Sequence, residues 1–97
     1  MAADTGAVPD NEDVIVQRFF RDGRLLSVPR QRAKRRVVLD HLAASFEPGV
    51  RYSENAVNDI LRTMYDDYVA LRRHLIDEGF LARESGIYWR AGGSVDV

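Results

Sequence analysis

Three stretches of the chain carry apolar residues at spacings of three and four, the pattern of an amphipathic helix. They cover residues 31–46, 53–64 and 66–78. The positions expected to face inward are Arg35, Val38, Leu39, Leu42 and Phe46 in the first stretch, Val57, Ile60, Leu61 and Met64 in the second, and Tyr68, Leu71 and Leu75 in the third. The pattern therefore predicts three main helices with one apolar face each.

Residues that cap or break helices mark the ends of these stretches. Pro48–Gly49 should end the first helix, because both residues disfavour its continuation. Ser53 is the expected N-cap of the second helix, and Asp66 or Asp67 that of the third. Gly79 suits the left-handed position that follows a helix. Short connections between the helices follow from this placement.

Residues 80–90, "FLARESGIYWR", predict two short strands around a Ser85–Gly86 turn. Residues 51–52 leave room for only a very short strand before the second helix. The order helix, short strand, helix, tight turn, helix and hairpin is that of a winged-helix arrangement. The predicted fold class is therefore α+β, winged-helix-like, with a C-terminal hairpin as the wing.

The segment before the first main helix is less distinctive. Residues 13–20, "DVIVQRFF", fit either a strand or a short helix, since an apolar run this short is compatible with both conformations. Asp22–Gly23 predicts a turn, followed by an extended piece that ends at Pro29. We expect residues 1–12 to be a disordered tail, 13–90 a single domain and 91–97 a frayed tail.

Composition narrows the class of protein. The 97 residues are 45% hydrophobic and 30% charged, as in ordinary globular domains. The lack of cysteine excludes disulfides, thiolate metal sites and a cysteine nucleophile. No apolar run approaches the roughly 20 residues needed to span a bilayer, and the first 13 residues do not resemble a signal peptide. We expect a cytoplasmic protein that does not contact membranes.

Charge is distributed unevenly along the chain. Residues 14–36 carry eight bases against the single acid Asp22, whereas residues 37–97 carry ten acids and six bases. Five cations fall within "RQRAKRR", residues 30–36, where a helix is expected to begin. A helix start carries partial positive charge and favours acids. Either this cluster binds phosphates, or it pairs with the acid-rich second half of the chain.

Nucleic-acid binding is the first functional hypothesis, with double-stranded DNA as the partner. Basic side chains neutralise phosphates and release counterions, and N–H groups at a helix start also bind anions. Further contacts would come from the outward face of the third helix and from the hairpin. That face also shows Asp66 and Asp77, so the cluster should supply more of the affinity. The candidate residues are Arg30, Arg32, Lys34, Arg36, Arg73, His74, Arg83 and Arg90.

Protein interaction is the alternative hypothesis. Neighbouring strand residues face opposite sides of a sheet, so Tyr88 and Trp89 cannot both point inward. One should join the core, and the other either anchors a homodimer or regulatory partner or merely covers the hairpin. Catalysis has little support. His41 and His74 fall on different predicted helices, and no nucleophile, metal or phosphate-loop motif is present. We expect no cofactor, no metal and no enzymatic activity.

The segments "DGRLLSVP", "RRVVLDHLAASFEPGVRYSENAVNDIL", "DDYVALRRHLIDEGFLAR" and "GIYWR" give a family resemblance over roughly residues 19–90. Together they resemble the bacterial domain of unknown function 2087 family, which occurs alone or fused behind ArsR-type winged-helix regulators. Asn55 departs from a position that more often carries charge. The resemblance implies a setting in bacterial gene regulation, either as a DNA-binding domain or as a sensor or dimerisation module that does not itself bind DNA.

Overall fold

The computed structural model describes residues 12–93. The predicted tails 1–12 and 91–97 therefore lie mostly outside the described residues. The ambiguous segment at 13–20 is a helix, α1 (Glu12–Phe19), and only Phe20 belongs to a strand. The strands β1 (Phe20–Arg21) and β2 (Arg24–Leu25) form a small antiparallel hairpin. Its predicted Asp22–Gly23 turn is confirmed, with positive φ at both residues.

The first main helix, α2, spans Arg32–Ala43 and ends three residues before the predicted limit. Residues 44–46 form a tighter turn, in which each N–H bonds the carbonyl three residues earlier. The sequence pattern extends further because Phe46 still faces the core from this turn. Gly49, with a φ of 85°, then redirects the chain.

The next two helices have the predicted caps. β3 (Arg51–Ser53) leads into α3 (Glu54–Arg62), and the Ser53 hydroxyl accepts the Ala56 N–H at 3.1 Å. α4 (Tyr68–Asp77) is capped by Asp67, so the structure selects between the two predicted aspartates. Gly79 follows α4 with a φ of 81°, as expected of a residue in the left-handed region.

The C-terminal hairpin completes a three-stranded antiparallel sheet. β4 (Leu81–Glu84) and β5 (Ile87–Arg90) turn at Ser85–Gly86, where both residues have positive φ. β5 lies in the centre, with β3 on one side and β4 on the other. The series α2, β3, α3, α4, β4, β5 is a winged-helix-like arrangement, which confirms the predicted fold class.

The core forms where the inward faces of α2, α3 and α4 meet the sheet. Tyr88 on the central strand is fully buried, whereas Trp89 is half-buried on the other face. The fully enclosed apolar side chains include Val38, Leu39, Leu42, Phe46, Val57, Leu61, Leu71, Leu75 and Leu81. These residues confirm most of the positions predicted to face inward. Ile60, Met64 and Tyr68 are only partly buried and pack at the edge of the core.

The first hairpin is fastened to the turn between α3 and α4. The Leu25 N–H donates to the Met64 carbonyl at 2.8 Å. Arg24 donates to the Thr63 carbonyl and to the Asp66 carboxylate, both at 3.0 Å. The hairpin therefore supports the turn of the helix–turn–helix unit. No helix within residues 12–93 is both long and apolar enough to cross a membrane.

Candidate nucleic-acid interface

The basic cluster, residues 30–36, lies at the start of α2 as predicted. Gln31 is the N-cap residue, but its side chain makes no capping hydrogen bond, and the first turn contains no acid. The first-turn N–H groups therefore lack the side-chain acceptor that Ser53 provides for α3. This helix start has no local group to offset its partial positive charge.

Glu78, just beyond α4, is the acid that meets the cluster. Arg32 donates to both oxygens of its carboxylate, with Nη2–Oε1 at 3.0 Å and Nε–Oε2 at 3.1 Å. Arg36 Nη1 donates to Oε1 at 2.7 Å, and Arg35 Nη2 lies 3.9 Å from Oε2. The Glu78 side chain is only 10% exposed. Within residues 12–93, all ion pairs between the cluster and the acid-rich second half of the chain thus involve this one acid.

These contacts change the ionisation of the pair. The hydrogen bond from Arg32, followed by that from Arg36, lowers the pKa of Glu78 from 4.5 to about 2, although loss of solvent acts in the opposite direction. The same hydrogen bond raises the pKa of Arg32 above its ordinary value. Glu78 is therefore a carboxylate at any physiological pH, and it offsets one of the five positive charges.

Arg35 and Arg36 also have roles inside the domain. Arg35 Nη1 donates to the Arg30 carbonyl at 2.9 Å, which closes the loop before α2. The Arg36 guanidinium lies over the ring of Phe80, 5.0 Å from its centre. Arg30 and Lys34, in contrast, form no ion pair within residues 12–93. They are the cations of the cluster that remain available to an external anion.

The outward face of α4 is less acidic than its sequence indicates. Asp66, counted against nucleic-acid binding, is paired with Arg24 at 3.0 Å. Arg73 is exposed and forms no ion pair within the described part of the chain, and His74 beside it is half-buried. Asp77 is exposed at the end of the same helix. One positive and one negative side chain thus remain prominent on this face.

The two hairpin arginines differ in their surroundings. Arg83 is exposed, and its Nη1 donates to the Tyr88 hydroxyl at 3.4 Å, a contact that raises the pKa of Arg83. Arg90 is half-buried and donates to the carbonyls of Phe46 and Gly92. Arg83 is therefore accessible from solvent, whereas Arg90 connects the sheet to the segment that follows α2.

A polar network beneath the hairpin was not foreseen from the sequence. The Tyr88 hydroxyl donates to Glu54 Oε1 at 2.9 Å, and Arg72 donates to Asn58 on α3. Arg72 also lies 4.0 Å from Glu54 Oε2, so the two residues form an ion pair. Glu54 and Asn58 are four residues apart, so they share one helix face. That spacing was the available signal for the network.

The aromatic candidates of the hairpin are now distinguished. Tyr88 is the core member of the pair, and Trp89 is the one that solvent reaches. Arg51 on the neighbouring strand places its guanidinium over the Trp89 ring, 5.9 Å from the ring centre. The outer face of the sheet therefore presents a tryptophan with a cation beside it.

The two histidines lie apart. His41 on α2 is exposed and contacts the Phe20 ring, whereas His74 lies on α4. Within residues 12–93, no group of three or more histidine, aspartate or glutamate side chains is arranged to hold a metal ion.

Comparison with known proteins gives one match. Residues 24–90 match the sequence model of a family described as "Uncharacterized protein conserved in bacteria (DUF2087)". No curated protein and no solved structure matches the chain. The match begins at β2 and ends with β5, so it includes the whole winged-helix-like unit and the basic cluster. The chain belongs to the DUF2087 family.

Proposed function

We propose that this chain binds duplex DNA as a domain of bacterial transcription regulation, in the cytoplasm and without catalytic activity. The observation that carries this proposal is the excess charge at the start of α2. Of the five cations, Arg32, Arg35 and Arg36 meet one carboxylate, that of Glu78, and no side-chain cap is present at the helix start. Such a concentration of positive charge favours phosphates and gives sequence-independent affinity.

The position of the cluster supports the same proposal. Glu78 follows α4, so its bonds to Arg32 and Arg36 hold the start of α2 beside the end of the second helix of the helix–turn–helix unit. In winged-helix and related proteins this second helix is the one that enters the major groove. Arg30 and Lys34 would contact phosphates, and Arg73 on α4 would reach a base edge, for which guanine is the usual partner of arginine.

The test uses cations that the folded domain does not need. The double variant Arg30→Gln, Lys34→Gln removes two charges without breaking an ion pair seen within residues 12–93. Binding to a duplex should weaken, and the slope of log affinity against log salt should decrease by about 2, since each phosphate contact contributes about 0.9. Fluorescence anisotropy at several salt concentrations measures both quantities.

The matched control removes equal charge from elsewhere in the basic half of the chain. Arg18→Gln with Arg21→Gln changes net charge identically, and both residues are exposed. A smaller loss of affinity and slope is expected in this control. Equal behaviour of the two double variants would show that the cluster is not the contact. Arg32 and Arg36 are unsuitable targets because their removal leaves Glu78 without its partners.

A protein-interaction role is the second candidate, and the surroundings of Trp89 favour it. A half-exposed tryptophan beside Arg51 on an open sheet face resembles the aromatic and arginine anchors of protein interfaces. On this proposal the wild-type protein sediments as a dimer and Trp89→Ala as a monomer, while circular dichroism stays unchanged. A wild-type protein that is monomeric at high concentration would exclude the homodimer.

A further inference from the structure

A cleft opens between α4 and the β4–β5 hairpin. It has a volume of about 250 Å³, and its walls include Val69, Arg72, Arg73, Ile76 and Asp77 from α4 and Arg83 from the hairpin. Three guanidinium groups thus line the cleft with one carboxylate, that of Asp77, and a second carboxylate, that of Glu54, lies 4.0 Å from Arg72. This excess of positive charge within a concave surface favours an anion.

Two of these arginine side chains are ordered by hydrogen bonds to other residues of the domain. Arg72 donates to Asn58, and Arg83 donates to the Tyr88 hydroxyl, which in turn donates to Glu54. A guanidinium has five N–H groups, so these contacts leave most of the donors unused. Side chains that are already ordered lose less conformational entropy when a ligand binds. The network beneath the hairpin therefore lowers the entropic cost of binding a ligand in the cleft.

Arg73 contributes the third positive charge of the cleft. Asp77 lies one turn further along α4, where an ion pair is common. The two side chains nevertheless form no ion pair within residues 12–93. The Arg73 guanidinium is therefore available to an anion that enters beside Arg72 and Arg83.

The dimensions and chemistry of the cleft indicate the kind of ligand. Sites for whole organic ligands usually measure roughly 300–1,000 Å³, so this cleft suits a compact group. Guanidinium forks match the oxygens of phosphate, and Val69 and Ile76 provide an apolar wall for an attached sugar. We propose that the cleft is a phosphate-binding site. It takes the phosphate of a small ester or that of a nucleic-acid backbone, and it does not depend on the basic cluster of α2.

Nuclear magnetic resonance of the ¹⁵N-labelled chain tests the site. Sodium phosphate, compared with sodium chloride at matched ionic strength, should give saturable shifts at Arg72, Arg73 and Arg83. The double variant Arg73→Gln, Arg83→Gln should raise the half-saturating phosphate concentration by roughly ten-fold or more, as expected for lost charge-assisted hydrogen bonds. Arg73→Gln alone, which removes no ion pair seen within residues 12–93, should weaken binding in the same direction.

A control variant and other anions test whether the response is specific to this cleft and to phosphate. The double variant Arg30→Gln, Lys34→Gln should bind phosphate at the cleft as the wild type does, which separates this site from the basic cluster of α2. Arg73 is the residue that the two proposals share. Ribose 5-phosphate and a short DNA duplex, titrated separately, show by their relative affinities which source of phosphate the cleft prefers. An absence of saturable shifts with phosphate would overturn the proposal. An equal response to sodium acetate would also overturn it, because the site would then not select phosphate.

Discussion

Arg32 donates two hydrogen bonds to the carboxylate of Glu78, and the two residues are 46 positions apart in the chain. The contact joins the start of α2 to the end of α4. It also explains how the domain tolerates cations at a helix start, because one acid from a distant segment replaces the acids that the first turn lacks.

Glu78→Gln should lower the melting temperature at neutral pH. The pKa of Glu78 falls from 4.5 to about 2 on folding, so its contribution to stability is fully present above about pH 4.5 and is lost as the pH falls towards 2. The difference in melting temperature between wild type and variant should therefore shrink across this window. Thermal unfolding followed by circular dichroism measures it. Glu84→Gln is the control, because Glu84 is exposed and forms no ion pair within residues 12–93.

Gln31→Asp should increase stability while it weakens DNA binding. An aspartate at this N-cap can accept a first-turn N–H and offset the helix dipole, an effect of about 1 kcal/mol. The same negative charge would repel phosphates from the start of α2. Gln31→Asn is the matched control, since asparagine caps without charge and should stabilise without loss of affinity. Urea unfolding and anisotropy measure the two effects, and unaltered DNA affinity in Gln31→Asp would contradict this prediction.

Gly79→Ala should destabilise the domain by roughly 1–2 kcal/mol, the cost of a left-handed conformation for a residue with a β-carbon. Apart from the adjacent residues of the chain, no atom of residues 12–93 lies within 4 Å of the position that the new β-carbon would occupy, so the loss comes from the backbone and not from a clash. Gly79→Asn should cost less because asparagine tolerates this conformation better. Urea unfolding distinguishes the variants, and an equal loss in both would exclude the backbone explanation.

Tyr88→Phe should reduce stability by about 0.5–1.5 kcal/mol, the usual net value of a hydrogen bond. The variant keeps the buried ring but removes the hydroxyl that donates to Glu54 and accepts from Arg83. Tyr65→Phe is the control, because its hydroxyl makes no hydrogen bond within the described residues and should be replaceable without cost. Chemical unfolding of both variants checks the comparison. A loss of the same size in Tyr65→Phe would argue against the network.

Local sequence signals were sufficient for most of the fold. Ser53, Gly79 and the Ser85–Gly86 turn act through contacts or dihedral angles within a few residues, which composition and spacing reveal. The segment at 13–20 was ambiguous because its apolar run is too short to show a period. Its conformation is decided by packing against α2, which a local pattern does not contain.

The candidate site was harder to foresee because its contacts are distant in sequence. The position of the cluster at a helix start could be predicted, but the choice of Glu78 among ten acids in the second half could not. Likewise, the sequence counts Asp66 against DNA binding, whereas the structure pairs its carboxylate with Arg24. Charge counts along a chain give the sign of a surface only when such pairs are identified.

The hydrogen bonds that join the first hairpin to the turn between α3 and α4 have a mechanical consequence. Arg24 and Leu25 donate hydrogen bonds to this turn across a sequence separation of about 40 residues. The acceptors belong to Thr63, Met64 and Asp66. A shift of the hairpin relative to this turn would break these hydrogen bonds. The position of the turn between α3 and α4 therefore depends in part on a segment that precedes all three main helices.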